Sequence, residues 1–246
     1  MGGGRVDVLR PAARLAGYDN TEKHGEAAGA SFGCGNPLAF AGVEPGDTVL
    51  DLGSGAGLDL LLAAERTGPT GQVIGVDMTD EMIAAAQQNA ARAGFDNIDV
   101  RRGLIEDLPV EDASVDWVIS NCVINLSPDK PAVFREISRV MKPGARFSIS
   151  DIVVGELPDW IRESAAAWSA CVAGAISEEA YLQGLRDVGL VDVAVTERLV
   201  YDACQLQAIL SEDIPGLDLD RDQIEALLQE YSGEVWSAKF SGRKPD

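Results

Sequence analysis

The run Val49-Leu50-Asp51-Leu52-Gly53-Ser54-Gly55-Ala56-Gly57 puts an acid near the end of a short apolar stretch and follows it with three glycines at two-residue spacing. A second apolar stretch, Val73-Ile74-Gly75-Val76, ends in another acid, Asp77. Glycines let a backbone turn sharply and approach a ligand closely, and a helix that begins after them starts with unpaired N–H groups. An acid about 20 residues beyond the turn can accept hydrogen bonds from two ribose hydroxyls. The spacing separates one cofactor from another. The dinucleotide pattern is G-x-G-x-x-G, with a pyrophosphate at the helix N-terminus. Here it is G-x-G-x-G behind Asp51, whose carboxylate repels phosphate and suits an ammonium group. Asp51, Gly53, Ser54 and Gly55 therefore predict a site for the amino-acid end of S-adenosylmethionine (SAM), with Asp77 on the ribose, rather than a site for NAD or FAD. A tight strand–helix turn in a ligand-free sheet is the plain alternative.

Cysteines offer a second chemistry. Cys34 is flanked by glycines in Phe32-Gly33-Cys34-Gly35-Asn36-Pro37, a loop with no room for helix or strand. Cys122 follows a strand-like run in Ser120-Asn121-Cys122-Val123-Ile124-Asn125-Leu126, and Cys171 lies in Ala170-Cys171-Val172-Ala173-Gly174-Ala175, near the end of a predicted helix. A free cysteine is most often a small buried hydrophobe, and spacing alone leaves that reading open for all three. Cys204 fits no motif and reads as a structural or spare thiol. No two cysteines form C-x-x-C, so a zinc knuckle is not expected.

These residues need a scaffold, and the pattern around them supplies one. Strands are predicted over 48–52, 72–76, 98–102, 115–120 and 146–151, with helices over 57–66, 80–93 and 130–141. Apolar strands alternating with amphipathic helices argue an α/β fold whose parallel sheet is covered on both faces. Asp80 is expected to cap the second helix, Pro131 to sit in the first turn of the third, and Lys142-Pro143-Gly144 to stop it after Met141. Ligands of open α/β sheets bind beyond the carboxyl ends of the strands, where Asp51, Asp77 and Ser120-Asn121-Cys122 all fall. Beyond 153 the pattern changes, with helices near 158–175, 178–188, 203–211 and 220–231 and strands near 191–199 and 234–241. The division expected is an N-terminal arm (1–36), a cofactor-binding region (37–155) and a C-terminal substrate-binding region (156–246).

Charge narrows the partners. Forty acidic against 20 basic residues give a net charge of −20 in 246 residues. Such a surface repels phosphate backbones and anionic membranes, so neither nucleic acid nor membrane is expected as a partner. Met1-Gly2-Gly3-Gly4-Arg5 leads into no apolar core, and no run approaches a membrane span. A cytoplasmic monomer is expected, with its thiols reduced.

With these motifs assembled, the chain resembles the arsenite methyltransferases. The likeness rests on Gly33-Cys34-Gly35-Asn36-Pro37, Asp51 to Gly57, Gly75-Val76-Asp77-Met78-Thr79, Asn121-Cys122-Val123-Ile124-Asn125-Leu126 with Ser127-Pro128-Asp129-Lys130, Ser150-Asp151-Ile152-Val153 and Cys171-Val172-Ala173-Gly174-Ala175. It covers roughly residues 31–200. The cofactor motifs are shared by many methyltransferases; the cysteine-bearing segments are specific. The resemblance implies a Rossmann-like class I SAM methyltransferase sheet with helices on both faces and a smaller C-terminal α+β substrate-binding addition. It implies that Cys122 and Cys171 hold trivalent arsenic and that Cys34 completes the set. Thiolates are the natural ligands of this thiophilic centre, and its lone pair is then the nucleophile for the SAM methyl group. Alignment carries most of the catalysis and no general base is required, in keeping with a single histidine, His24. The substrate implied is arsenite or methylarsenite, with a thiol reductant of the glutathione or thioredoxin type as co-substrate. By the same resemblance Met78 packs on the adenine, Ile105 and Glu106 read its edge, and Asn121 lies near the amino-acid end. Two features depart from the family. Residues 1–33 hold no cysteine for a thiol relay, and Phe32 stands where a tyrosine is common. Two other readings stay open: a methyltransferase of a small organic molecule, and a protein that sequesters metalloid on its thiols without turnover.

Overall fold

The computed structural model describes residues 42–155, 174–200 and 233–246. Its strands are β1 (Thr48–Leu52), β2 (Gln72–Asp77), β3 (Ile98–Arg102), β4 (Val115–Asn121), β5 (Met141–Val154), β6 (Val191–Val200) and β7 (Val235–Arg243). Its helices are α1 (Leu58–Thr67), α2 (Asp80–Ala93), α3 (Lys130–Val140) and α4 (Glu178–Asp187). The N-terminal arm and the helices expected near 158–175, 203–211 and 220–231 lie outside the described residues.

All seven strands form one sheet in the order β3-β2-β1-β4-β5-β7-β6. The first five run parallel, as their alternation with helices requires. β7 then enters antiparallel beside β5, and β6 antiparallel beside β7. The two strands expected late in the chain thus extend the same Rossmann-like sheet.

Side chains alternate across the strands, and each face finds its own helices. Val49, Val73, Trp117 and Ile119 pack with Leu60, Ala63 and Ala64 of α1 and with Ala86 of α2. On the other face Leu50, Ile74, Val118, Phe147 and Ile149 join Val133, Phe134 and Ile137 of α3 and Tyr181 and Leu185 of α4. Tyr181 lies flat against Phe240, with ring centroids 4.1 Å apart, and edge-on to Phe134 at 5.2 Å.

Two boundaries differ from those expected. Asp80 is the first helical residue of α2 rather than its cap; Thr79 holds the capping position but makes no side-chain cap. Its hydroxyl donates to Asp77 Oδ1 at 2.8 Å instead, and Asp80 acts through its charge in the first turn. Helix α3 ends at Val140, and β5 begins at once at Met141, running through Pro143. The β4–β5 register shifts there, Val115 pairing with Met141 and Trp117 with Arg146, so the proline occupies an irregularity where it takes no ladder bond. At the other end of α3 the structure follows the expectation. Asp129 accepts from Ala132 N at 3.0 Å and Pro131 lies in the first turn. Among the described residues no helix is long and apolar enough to cross a membrane.

Candidate active site

Parallel strands bring their carboxyl ends to one edge, so the turns leaving β1, β2 and β4 open together. Gly53, Gly55 and Gly57 reverse the chain from β1 into α1 at φ of 65°, 50° and 88°, a region that strains any residue with a Cβ. Gly53 is also needed for space, because a Cβ there would lie 2.3 Å from Val123 Cγ2. The glycine turn therefore packs directly on the residue after Cys122. Gly53 N and Ser54 N both donate to Val76 O, at 2.8 and 3.1 Å, which pins the turn to the end of β2. Asp77 completes the join. Its Oδ2 accepts Gly55 N at 3.0 Å, and its Oδ1 accepts Thr79 N at 2.9 Å and the Thr79 hydroxyl. The carboxylate is oriented by the protein itself.

A cleft of about 810 Å³ lies between these turns, a size suited to a small molecule. Asp51, Gly53, Ser54, Gly55, Asp77, Met78, Ile105, Glu106 and Asn121 all line it, as does Cys122. The structure thus gathers every position expected about the cofactor into one wall set. A second hollow of about 1070 Å³ between α3 and α4 includes none of them. Sequence reading missed Asp59, Leu104, Leu126 and Ser127, which also face the cleft. Asp59 looks like an ordinary acid in a first helical turn, and only folding reveals that it stands beside Asp51. Exposure singles out the same place. Met78 (62 %), Leu104 (54 %), Leu126 (46 %) and Met82 (39 %) are large apolar side chains open to solvent, and all four line the cleft. Clustered exposed apolar surface marks a binding site, and Met78 is not a core residue.

The electrostatics suit a cation. Asp51 is buried, and its carboxyl is pushed well above the usual range, first by loss of solvent and then by the neighbouring charges of Asp59 and Asp77. A positive group entering between these carboxylates relieves that repulsion. Ser54 Oγ, also buried, has no hydrogen-bond partner among the described residues. The donor set fits the ammonium and carboxylate end of SAM.

Cys122 stands where β4 gives way to a 3₁₀ turn, Ile124–Leu126. Its φ is +56°, a left-handed conformation that costs a residue with a side chain about 1–3 kcal/mol and persists only where the surroundings over-determine it. Here Cys122 N donates to Ser150 O at 2.9 Å. Cys122 is 6 % exposed and disulfide-bonded. The cleft's other side is tied down as well, since the Ser127 hydroxyl donates to Glu106 Oε1 and Ser127 Oγ accepts Asp129 N at 3.1 Å. Cys34, Cys171 and Cys204 lie outside the described residues. Among those described, no group of three His, Cys, Asp or Glu side chains is placed to hold a metal ion.

Known proteins share this architecture. A family model described as "Methyltransferase domain" matches residues 43–189. The arsenite methyltransferase of Halobacterium salinarum is 44 % identical over 232 residues, 93 % of this chain and 55 % of that protein. The arsenite methyltransferase of Aquipseudomonas alcaligenes is 39 % identical over 185 residues, 72 % of this chain and 53 % of that protein. The chain spans about half the length of these curated relatives. The crystal structure of an arsenic(III) S-adenosylmethionine methyltransferase from Chlamydomonas reinhardtii aligns with a TM-score of 0.70 at 33 % identity, covering 96 % of this chain and 74 % of that one.

Proposed function

Since the chain belongs to the arsenite methyltransferase family, on a methyltransferase domain of class I fold, we propose that it transfers a methyl group from SAM to trivalent arsenic, arsenite or methylarsenite, held by Cys34, Cys122 and Cys171. One observation carries this reading: Cys122 lines the same cleft as the glycine turn and its acids, and its neighbour Val123 packs against Gly53. A thiol and a cation-binding turn with a common wall are what alignment of a soft nucleophile with a sulfonium methyl requires.

The chain's own groups have separable tasks. Asp51, with Asp59 and Asp77 close by, holds the ammonium group. Asp77 offers the ribose the acceptor capacity left over from Gly55 and Thr79. Met78 packs on the adenine, Ile105 and Glu106 read its edge, and Asn121 sits by the amino-acid end. Bound SAM supplies an electrophilic carbon on a positively charged sulfur. No base is required, because the lone pair on arsenic is already free when three thiolates occupy its other positions. Donation of the arsenic lone pair to the methyl group formally oxidises arsenic, and two electrons are needed to return it to the trivalent state; this supports a glutathione- or thioredoxin-type reductant as co-substrate. We read the protein as a cytoplasmic monomer whose acidic surface does not hinder arsenite, an uncharged acid at neutral pH.

The test is to incubate the purified, reduced protein with arsenite and SAM and to separate the arsenic species by chromatography with mass spectrometry. Methylated arsenic is expected from the natural protein and none from Cys122→Ser or Cys171→Ser, with SAM affinity kept in both. Arsenic binding with no methylated product would leave a sequestering protein, and SAM binding with neither arsenic binding nor methylated arsenic would point to an organic acceptor.

A further inference from the structure

Asp151 lines no part of the cleft, yet the turn that carries Cys122 is built on it. It is fully buried near the end of β5. Oδ1 accepts Asn125 Nδ2 at 2.8 Å and Ile152 N at 2.9 Å; Oδ2 accepts Asn125 N at 3.2 Å and the Tyr181 hydroxyl at 3.3 Å. Asn125 lies in the 3₁₀ turn three residues after Cys122, and its Nδ2 also donates to Ile152 O at 2.6 Å. Lys130 Nζ closes the far side on the carbonyls of Asn125 and Ser127, at 3.2 and 3.1 Å. Cys122 N meets Ser150 O, the carbonyl just before Asp151.

Packing alone would not call for a carboxylate here, since burying a charge is costly unless its acceptors are used. A carboxylate supplies acceptor positions in fixed directions and no donor. Two of the four bonds go to Asn125, in a turn whose Cys122 is held at a left-handed φ. A third goes to Tyr181, carried by α4 and wedged between Phe134 and Phe240.

We propose that Asp151 is the positioning residue of the Cys122 turn: by holding Asn125 it sets how the Cys122 sulfur faces the cleft, and through Tyr181 it makes that placement depend on α4. The effect on arsenic chemistry rests on Cys122 being a substrate thiol; the effect on the sulfur itself does not.

Asp151→Asn is the direct test. Each carboxylate oxygen faces two donors, so whichever way the amide lies its NH₂ group opposes donors and the turn must shift. Tyr181→Phe removes one donor and leaves the carboxylate, and serves if Asp151→Asn does not fold. Three quantities are measured on reduced protein well below the unfolding midpoint: the rate at which iodoacetamide modifies Cys122, followed on its peptide by mass spectrometry; SAM affinity; and kcat and KM for arsenite. The expected result is a change of about fivefold or more in the Cys122 rate and a fall of about tenfold in kcat/KM for arsenite, with SAM affinity within about twofold of the natural protein. Tyr181→Phe should move the same quantities in the same direction by less. A lowered unfolding midpoint with the Cys122 rate unchanged would overturn the proposal, as would a loss of SAM affinity that alone accounts for the lost activity. If the natural protein does not methylate arsenite but the Cys122 rate still moves, the positioning role stands and the proposed reaction falls.

Discussion

Replacing Gly53 with alanine isolates the contact that joins the cofactor turn to the thiol turn. An ideal Cβ at position 53 would lie 2.3 Å from Cγ2, 2.7 Å from Cβ and 3.0 Å from Cγ1 of Val123, whereas carbon atoms rest about 3.5–4 Å apart. Gly55 is the internal control. Its φ of 50° is close to the 65° of Gly53, but a Cβ there meets nothing within 4 Å. Alanine at either position carries the left-handed cost of about 1–2 kcal/mol. At position 53 overpacking adds roughly 1–3 kcal/mol. Gly55→Ala should therefore lose about 1–2 kcal/mol and Gly53→Ala about 2–5 kcal/mol. Urea unfolding of the reduced, cofactor-free protein reads both. Adding Val123→Ala to Gly53→Ala should restore part of the difference, a coupling of about 1 kcal/mol or more in a double-mutant cycle. Equal losses at 53 and 55, or strictly additive behaviour of 53 with 123, would refute the claim that the two turns are in contact.

Three further outcomes follow from the carboxylates of the cleft and of the turn behind it. Asp51 holds its proton above the ordinary carboxylate range because it is buried beside Asp59 and Asp77. A bound cation must lower that pKa, so SAM binding should release protons and tighten as pH rises; calorimetry in buffers of different ionisation enthalpy measures this, and Asp51→Asn should abolish the release. The Asp151 carboxyl is pushed up to about 7 by burial, against the opposing pull of its hydrogen-bond donors and the Lys130 charge. The folded protein then binds this proton more tightly than the unfolded chain does. Its stabilising contribution is complete below the ordinary value of 3.8 and is lost as pH rises through about 7. Unfolding free energy measured from about pH 5 to 8 should fall in part through this group, and a slope in Asp151→Asn as steep as the natural one would contradict the assignment. Asp77→Asn cannot accept all three of its present donors, so cofactor affinity should drop about tenfold; unchanged affinity in a titration would remove Asp77 from the site.

Much of this was legible in the chain because it is local. A glycine turn flanked by acids reports its own geometry, since positive φ and close approach are properties of single residues. The parallel strands and their helices were legible because both faces of a buried sheet demand apolar runs. The misreadings were competitions that local pattern cannot judge. Asp80 entered the first turn of α2 instead of capping it, the capping position falling to Thr79, whose hydroxyl bonds Asp77, and a strand took over at Met141 because β4 lay alongside to pair with it.

What sequence alone determined, then, is a set of turns and periodicities: three glycines behind an acid, a second acid at the next strand end, cysteines in glycine-rich or strand-end settings. Such features depend on residues a few positions apart, where sterics and hydrogen bonding act without the rest of the molecule. It took the folded molecule to bring Asp59 beside Asp51, to set Val123 in the space Gly53 leaves, and to gather on Asp151 the donors of Asn125 and of Tyr181, 30 residues along the chain. Those partners meet because strands far apart in sequence are neighbours in the sheet. Burial then decides their energies, since a charge or hydroxyl shut away from water is governed by whatever the fold has placed beside it.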